Sequence, residues 1–259
     1  MTEFEAPTPA PPAAPYGPAS TPPAVEPIRL ESSITPLIAT LALGGRIFAR
    51  GMSRIHIEGD LAAIPREGPV IIAANHASNF DPVVLGAWLT PALGRRIQWL
   101  GKKELFAWPV VGWAARNGGV HPVDRGAADA DAFRLARRIL DEGNVLFVFP
   151  EGTRSADGAL HEARDGVAVL ALRTGAAIVP IGIAGSNGVW PRGQKLPHPG
   201  GRVTVKVGEA FRLADILPPG TDRKTAKGLA TDAIMRRIAA LLPPAQRGVY
   251  GGSNGDPVR

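Results

Sequence analysis

The apolar and polar positions divide the chain into short apolar runs and longer stretches of helical periodicity. Apolar, β-branched runs predict strands at Arg54 to Glu58, Pro69 to Ala74, Arg96 to Leu100, Gly119 to Val123, Val145 to Phe149, Ala177 to Ile183 and Val203 to Val207. Several lack the alternation of a half-exposed strand, which marks strands covered on both faces. Helices are predicted near Asp81 to Leu89, Trp108 to Arg116, Ala128 to Glu142, Gly166 to Thr174 and Arg223 to Leu242. Strands alternating with helices imply an α/β fold, a mostly parallel mixed sheet flanked by helices, with ligands beyond the carboxyl ends of the strands.

Ahead of the first strand, Leu37, Leu41 and Phe48, with Ile38 and Gly45 beside them, recur at helical spacing. Arg46, Arg50 and Arg54 repeat every fourth residue on another face. This predicts an N-terminal amphipathic helix. Gly44, Gly45 and Arg46 interrupt its apolar stretch, and a membrane-spanning helix needs about 20 mostly apolar residues. Two readings stay open: a helix at a lipid surface with its arginines towards anionic headgroups, or a helix that covers the domain.

The ends of the chain differ in composition. Residues 1–30 alternate proline with Ala, Thr and Ser and read as a disordered tail, and residues 243–259, rich in Gly, Pro and polar residues, read as a flexible one. The folded unit is then residues 31–242. The first tail has no basic segment followed by an apolar one, so a secretory signal is not expected. With 29 Lys and Arg against 23 Asp and Glu, the net charge is +6, which favours anionic partners. No nucleic-acid fingerprint accompanies that charge, and nucleic acid is not expected as a partner. The chain has no cysteine, so disulfides, thiolate metal sites and a Cys nucleophile are excluded. The histidines are scattered without metal-ligand spacing, and no metal is expected.

The sharpest chemical signal follows the strand ending at Ala74, where Asn75 and His76 lead through Ala77, Ser78, Asn79 and Phe80 to Asp81. A turn between them would bring the Asp81 carboxylate to the imidazole and make His76 an oriented general base. Asp81 before Pro82 is equally suited to begin the next helix, so the residues alone leave both readings open. After the strand at Val145 come Pro150, Glu151, Gly152, Thr153, Arg154 and Ser155; after that at Gly119 come Asp124 and Arg125. Glycine admits close backbone approach, and arginine forks onto phosphate oxygens. Gly185-Ser186-Asn187-Gly188 approximates a serine-hydrolase elbow, but no helix follows it immediately, and the order of acid and His is wrong.

Taken together these segments resemble the glycerolipid acyltransferases typified by 1-acylglycerol-3-phosphate O-acyltransferase. The family's Asn-His, four residues, Asp block is matched by Asn75-His76 to Asp81. Its second block is matched by Lys102 to Leu105, Gly119 and Arg125, its Phe-Pro-Glu-Gly-Thr-Arg-Ser block by Phe149 to Ser155, and its Val-Pro-Ile block by Val179 to Ile181. The resemblance runs from about Gly68 to Ile183. Ala77 stands where a polar residue is common, and Pro122 and Val123 where an aromatic and aliphatic pair is common. The resemblance implies acyl transfer to the hydroxyl of lysophosphatidic acid, giving phosphatidic acid. His76 and Asp81 would be catalytic, and Asn75, Lys103, Arg125, Glu151, Gly152, Thr153 and Arg154 substrate-binding. Arg125 and Arg154 would hold the phosphate, and Glu151 an arginine or a hydroxyl. No cofactor is implied beyond acyl-CoA or acyl carrier protein as co-substrate. A lysophospholipid acceptor and an anionic membrane surface would be the partners, with the protein peripheral on the cytoplasmic face. Trp88, Trp99, Phe106, Trp108 and Trp113 either line an acyl groove, anchor the protein in lipid or pack the core. A catalytically silent basic membrane-binding module is the rival reading, and thioester consumption separates the two.

Overall fold

β2 (Val70–Ala74) is buried at every residue because the sheet covers its edges and helices cover its faces. The computed structural model describes residues 30–123 and 129–252. The other strands are β1 (Arg54–Glu58), β3 (Ile97–Lys102), β4 (Val120–Val123), β5 (Val145–Val148), β6 (Ala177–Ala184) and β7 (Arg202–Val207). They form one seven-stranded sheet in the order β1-β7-β6-β2-β5-β3-β4. All neighbours run parallel except β6 and β7. That reversal means β1 and β7 begin at the end of the sheet where the other five strands finish.

The α-helices among the described residues are α1 (Pro36–Met52), α2 (Asp81–Leu93), α3 (Pro109–Asn117), α4 (Asp129–Asp141), α5 (Gly166–Thr174) and α6 (Arg223–Ala240). Side chains of α1 and α2 pack on one face of the sheet and those of α4, α5 and α6 on the other. The expected α/β architecture is present, with each predicted strand and helix at its place. The expected tail at residues 1–30 falls, apart from Leu30, outside the described residues, as does 253–259.

Proline inside a central strand normally removes a ladder bond, yet Pro180 sits within β6. Its carbonyl accepts from the Gly208 amide at 2.9 Å, so its missing N–H faces the same side, just past the end of β7, and no ladder bond is lost. A second proline has a wider consequence. Pro91 lies in the last turn of α2, and its absent N–H leaves the Ala87 carbonyl, four residues earlier, without its helical donor. Arg46 supplies one: its Nε donates to that carbonyl at 2.9 Å, while its guanidinium lies over the Trp88 ring. Arg46 therefore ties α1 to α2 and does not point to headgroups, and Arg54 belongs to β1, not to the helix. The arginine stripe read from the sequence is corrected on both counts. α1 buries Ile38, Ala42 and Ala49, and a Cβ at Gly45 would meet the Ala87 methyl at 3.2 Å. It thus covers the domain, while Leu37, Leu43, Ile47 and Phe48 remain exposed. No helix among the described residues is long and apolar enough to cross a membrane.

The flexible tail expected from Pro243 is corrected up to residue 252. Leu160 donates to the Gln246 carbonyl at 3.0 Å, and Val249 donates to the Leu160 carbonyl at 3.3 Å. Gly248 has φ +50°, and a Cβ there would meet the Leu160 oxygen at 1.8 Å. The segment is held by backbone bonds, to which composition is blind.

The Pro91 account makes Arg46→Ala costly by about 1–3 kcal/mol, because it orphans a buried carbonyl. In a Pro91→Ala background the helix regains its own donor, and most of that penalty should vanish. Thermal melts of the two single variants and the double variant check this; equal losses in both backgrounds would refute it.

Candidate acyl-transfer site

The loop 75–80 leaves the carboxyl end of β2 and turns directly into α2. Asp81 opens that helix without capping it: its carboxylate bonds back into the loop, not to the helix amides. Oδ2 accepts from the amides of Ala77 and Ser78, each at 2.8 Å, and stands 2.9 Å from His76 Nδ1. A carboxylate oxygen only accepts, so Nδ1 carries the hydrogen and Nε2 keeps the free lone pair. The side chain of Asp81 is fully buried and that of His76 is 13% exposed, so the dyad is shielded on the acid side and open on the basic side. The expected meeting of His76 and Asp81 is present in the structure.

Glu151 arrives from the turn after β5 and is buried. Oε1 accepts from the His76 amide at 2.9 Å and Oε2 from the His161 amide at 3.1 Å. Burial pushes its carboxyl above the ordinary glutamate range, and the two amides oppose that shift. Both Glu151 oxygens thus accept backbone amides, one from the loop that carries His76 and one from His161. The Ser155 amide donates to the His76 carbonyl at 2.7 Å, so the turn after β5 grips both backbone polar groups of His76. Phe149 stacks on the imidazole with centroids 3.8 Å apart and planes 11° apart.

Asn75 lies beneath the same loop. Its side chain donates to the Ile183 carbonyl at 2.9 Å and accepts from the Ile183 amide at 2.8 Å, clamping the end of β2 to β6 beneath the loop. Arg154 is half-buried, donates to Asn79 Oδ1 in the His76 loop, and so lies beside the dyad. Gly152 has φ +70° beside Arg164, and Thr153 is exposed. Lys103 is exposed and begins the turn after β3, two strands from β2. Arg125 lies outside the described residues. Phe149, Asn79 and Ser155 were not in the expected set, although each stands inside or beside a matched block. Trp99 stacks on Phe147 in the core, whereas Trp108 is 59% exposed.

A family model described as acyltransferase matches residues 54–184, the span from β1 to the end of β6. The chain belongs to the acyltransferase family. This acyltransferase is 32% identical over 181 residues to a chloroplastic 1-acyl-sn-glycerol-3-phosphate acyltransferase of Arabidopsis thaliana, an alignment covering 68% of this chain and 49% of the relative. It is also 32% identical over 194 residues to a lyso-ornithine lipid O-acyltransferase of Pseudomonas aeruginosa, covering 70% and 72%. The chain spans about half the length of the plant and algal curated relatives it matches. The crystal structure of the 1-acyl-sn-glycerophosphate (LPA) acyltransferase PlsC from Thermotoga maritima shares its fold, with a TM-score of 0.60, 26% identity and 79% of each chain covered.

The raised carboxyl of Glu151 sets a testable sign. A group whose folded pKa lies above its unfolded value loses its contribution to stability as pH rises from the unfolded to the folded value. Glu151→Gln does not titrate, so the variant's deficit in melting temperature should narrow between about pH 4 and pH 7. A deficit that widens over that range would contradict burial as the dominant cause.

Proposed function

We propose that this acyltransferase moves a fatty acyl group from an acyl thioester, on CoA or acyl carrier protein, to the hydroxyl of lysophosphatidic acid, forming phosphatidic acid. The observation that carries the reading is the His76 Nδ1 to Asp81 Oδ2 bond beyond the carboxyl end of β2, which leaves the Nε2 lone pair free. Nε2 takes the hydroxyl proton as the alcohol oxygen attacks the thioester carbonyl. Asp81 stabilises the imidazolium that forms. The C–S bond then breaks, and the thiolate leaves and recovers a proton as the free thiol. A thiol pKa of about 8.5 makes that departure easier than loss of an alkoxide, so no protein nucleophile is needed. The thioester is the only co-substrate in this scheme, and no cofactor takes part.

Arg154 holds the acceptor phosphate, aided by Arg125 as the family resemblance implies; its bond to Asn79, in the loop that carries His76, supports this reading. The protein works as a peripheral protein at the cytoplasmic face of a membrane, where its acceptor resides. A second acceptor class is favoured by one observation, the Pseudomonas relative named for a lyso-ornithine lipid.

Thiol release from acyl-CoA separates these readings. Lysophosphatidic acid should support turnover, and lysophosphatidylcholine, whose phosphate is masked, should be a poor acceptor. Arg154→Lys keeps the charge but loses the planar fork. It should raise KM for lysophosphatidic acid several-fold and affect acyl-CoA less. Equal use of the two lysolipids by the wild type would overturn the phosphomonoester reading.

A further inference from the structure

The connection between β6 and β7 crosses the His76 loop. Ser78 Oγ donates to the Trp190 carbonyl at 2.6 Å, the Asn79 amide donates to the same oxygen at 3.0 Å, and Ser78 pairs with Pro191 in an antiparallel bridge. Because the two segments run antiparallel, the chain that continues from Pro191 follows the His76 loop backwards, from Ser78 towards Ala77 and His76. The first residue on that path is Arg192.

Arg192 is also tied to the turn after β5. Its Nη1 donates to the Arg154 carbonyl at 3.0 Å. The same peptide unit, between Arg154 and Ser155, donates its N–H to the His76 carbonyl at 2.7 Å. One planar peptide therefore separates the Arg192 guanidinium from the His76 main chain. A guanidinium carries five N–H donors, and the Arg154 carbonyl is the one protein acceptor that Arg192 has among the described residues. No Asp or Glu occurs between Asp165 and Glu209, so the connection brings its cations without a counter-charge of its own.

We propose that Arg192 is a second guanidinium for the acceptor's phosphomonoester, working beside Arg154 and selecting acceptors whose phosphate is unmasked. This rests on the reading of the protein as a lysophosphatidic acid acyltransferase, and it adds a residue outside the matched blocks, which end at Ile181. In lysophosphatidic acid the phosphate is esterified to the carbon next to the one that bears the hydroxyl. When that hydroxyl reaches His76 Nε2, the phosphate must lie close to the His76 loop, to which Arg154 and Arg192 are both anchored. The phosphates of CoA stand at the far end of a pantetheine arm from the thioester, so the acceptor's phosphate is the one in reach. A phosphomonoester offers three terminal oxygens, enough for two guanidiniums, whereas a choline ester loses one of them and part of the charge.

The test is steady-state thiol release by the full chain in detergent micelles, with lysophosphatidic acid or lysophosphatidylcholine as acceptor. Arg192→Gln keeps an N–H donor for the Arg154 carbonyl and loses the charge and the fork. It should raise KM for lysophosphatidic acid about tenfold, lower the preference for that acceptor by about the same factor, and leave kcat and the KM for acyl-CoA within about twofold. Arg192→Lys should fall between the two. Lys195→Gln removes the same charge at an exposed position of the same connection and should change little. A lower kcat with both acceptors and an unchanged preference would make Arg192 a prop for the turn after β5, and a raised KM for acyl-CoA alone would assign it to the donor. An equal effect of Lys195→Gln would reduce it to net charge. Each of these overturns the proposal. A wild type that uses both lysolipids equally overturns the phosphomonoester reading and this inference with it, whereas a selective wild type with an unaltered Arg192→Gln variant overturns this inference alone.

Discussion

One oxygen atom, Asp81 Oδ2, organises the site. It accepts two backbone amides and faces the imidazole Nδ1, so the loop 75–80 can close only when the carboxylate is enclosed at its centre. Such a buried charge is tolerable only with its donors in place, and removing a donor leaves an uncompensated charge. The geometry of the loop and the tautomer of His76 are thus set together. Everything around it serves to keep that oxygen dry and its donors still: a central strand buried on both faces, a helix beginning at the same residue, and the Asn75 clamp to β6.

The grip on His76 comes from two directions. Its ring is fixed by Asp81 and the Phe149 face, and its main chain by Glu151 and the Ser155 amide. Several polar residues of the matched blocks therefore act on backbone rather than on substrate. Glu151 and Asn75 each make two bonds to backbone, which hold the His76 main chain and the end of β2. Arg154 differs, since its link to Asn79 holds a cation beside the dyad.

Much of this was legible in the chain. Period and β-branching located all seven strands, and the Asn-His to Asp spacing after an apolar run located the dyad, because both signals are local. What stayed hidden depends on partners distant in sequence. Pro91 announces an orphaned carbonyl, but nothing local says that Arg46, 41 residues from Ala87, will satisfy it. Glu151 reads equally well as a ligand-binding acid or as a buried acceptor for an amide 75 residues away. The reversal of β7, which delivers Arg202 to the site-bearing end, follows from sheet order rather than from any residue pattern. Composition likewise marked residues 243–252 as loose, although the Gln246 carbonyl and the Val249 amide are bonded to Leu160.

In the proposed reaction His76 Nε2, oriented by the bond from Nδ1 to Asp81, takes the acceptor's proton. Single-turnover and steady-state thiol release by purified His76→Ala, with acyl-CoA and lysophosphatidic acid, tests it most directly. The variant removes one of the three donors to Asp81 Oδ2 and should melt below the wild type, and at a temperature where it is folded its turnover should fall on the order of 10²–10⁴-fold. A folded variant that keeps more than about a third of wild-type turnover would contradict the assignment of His76 as the base.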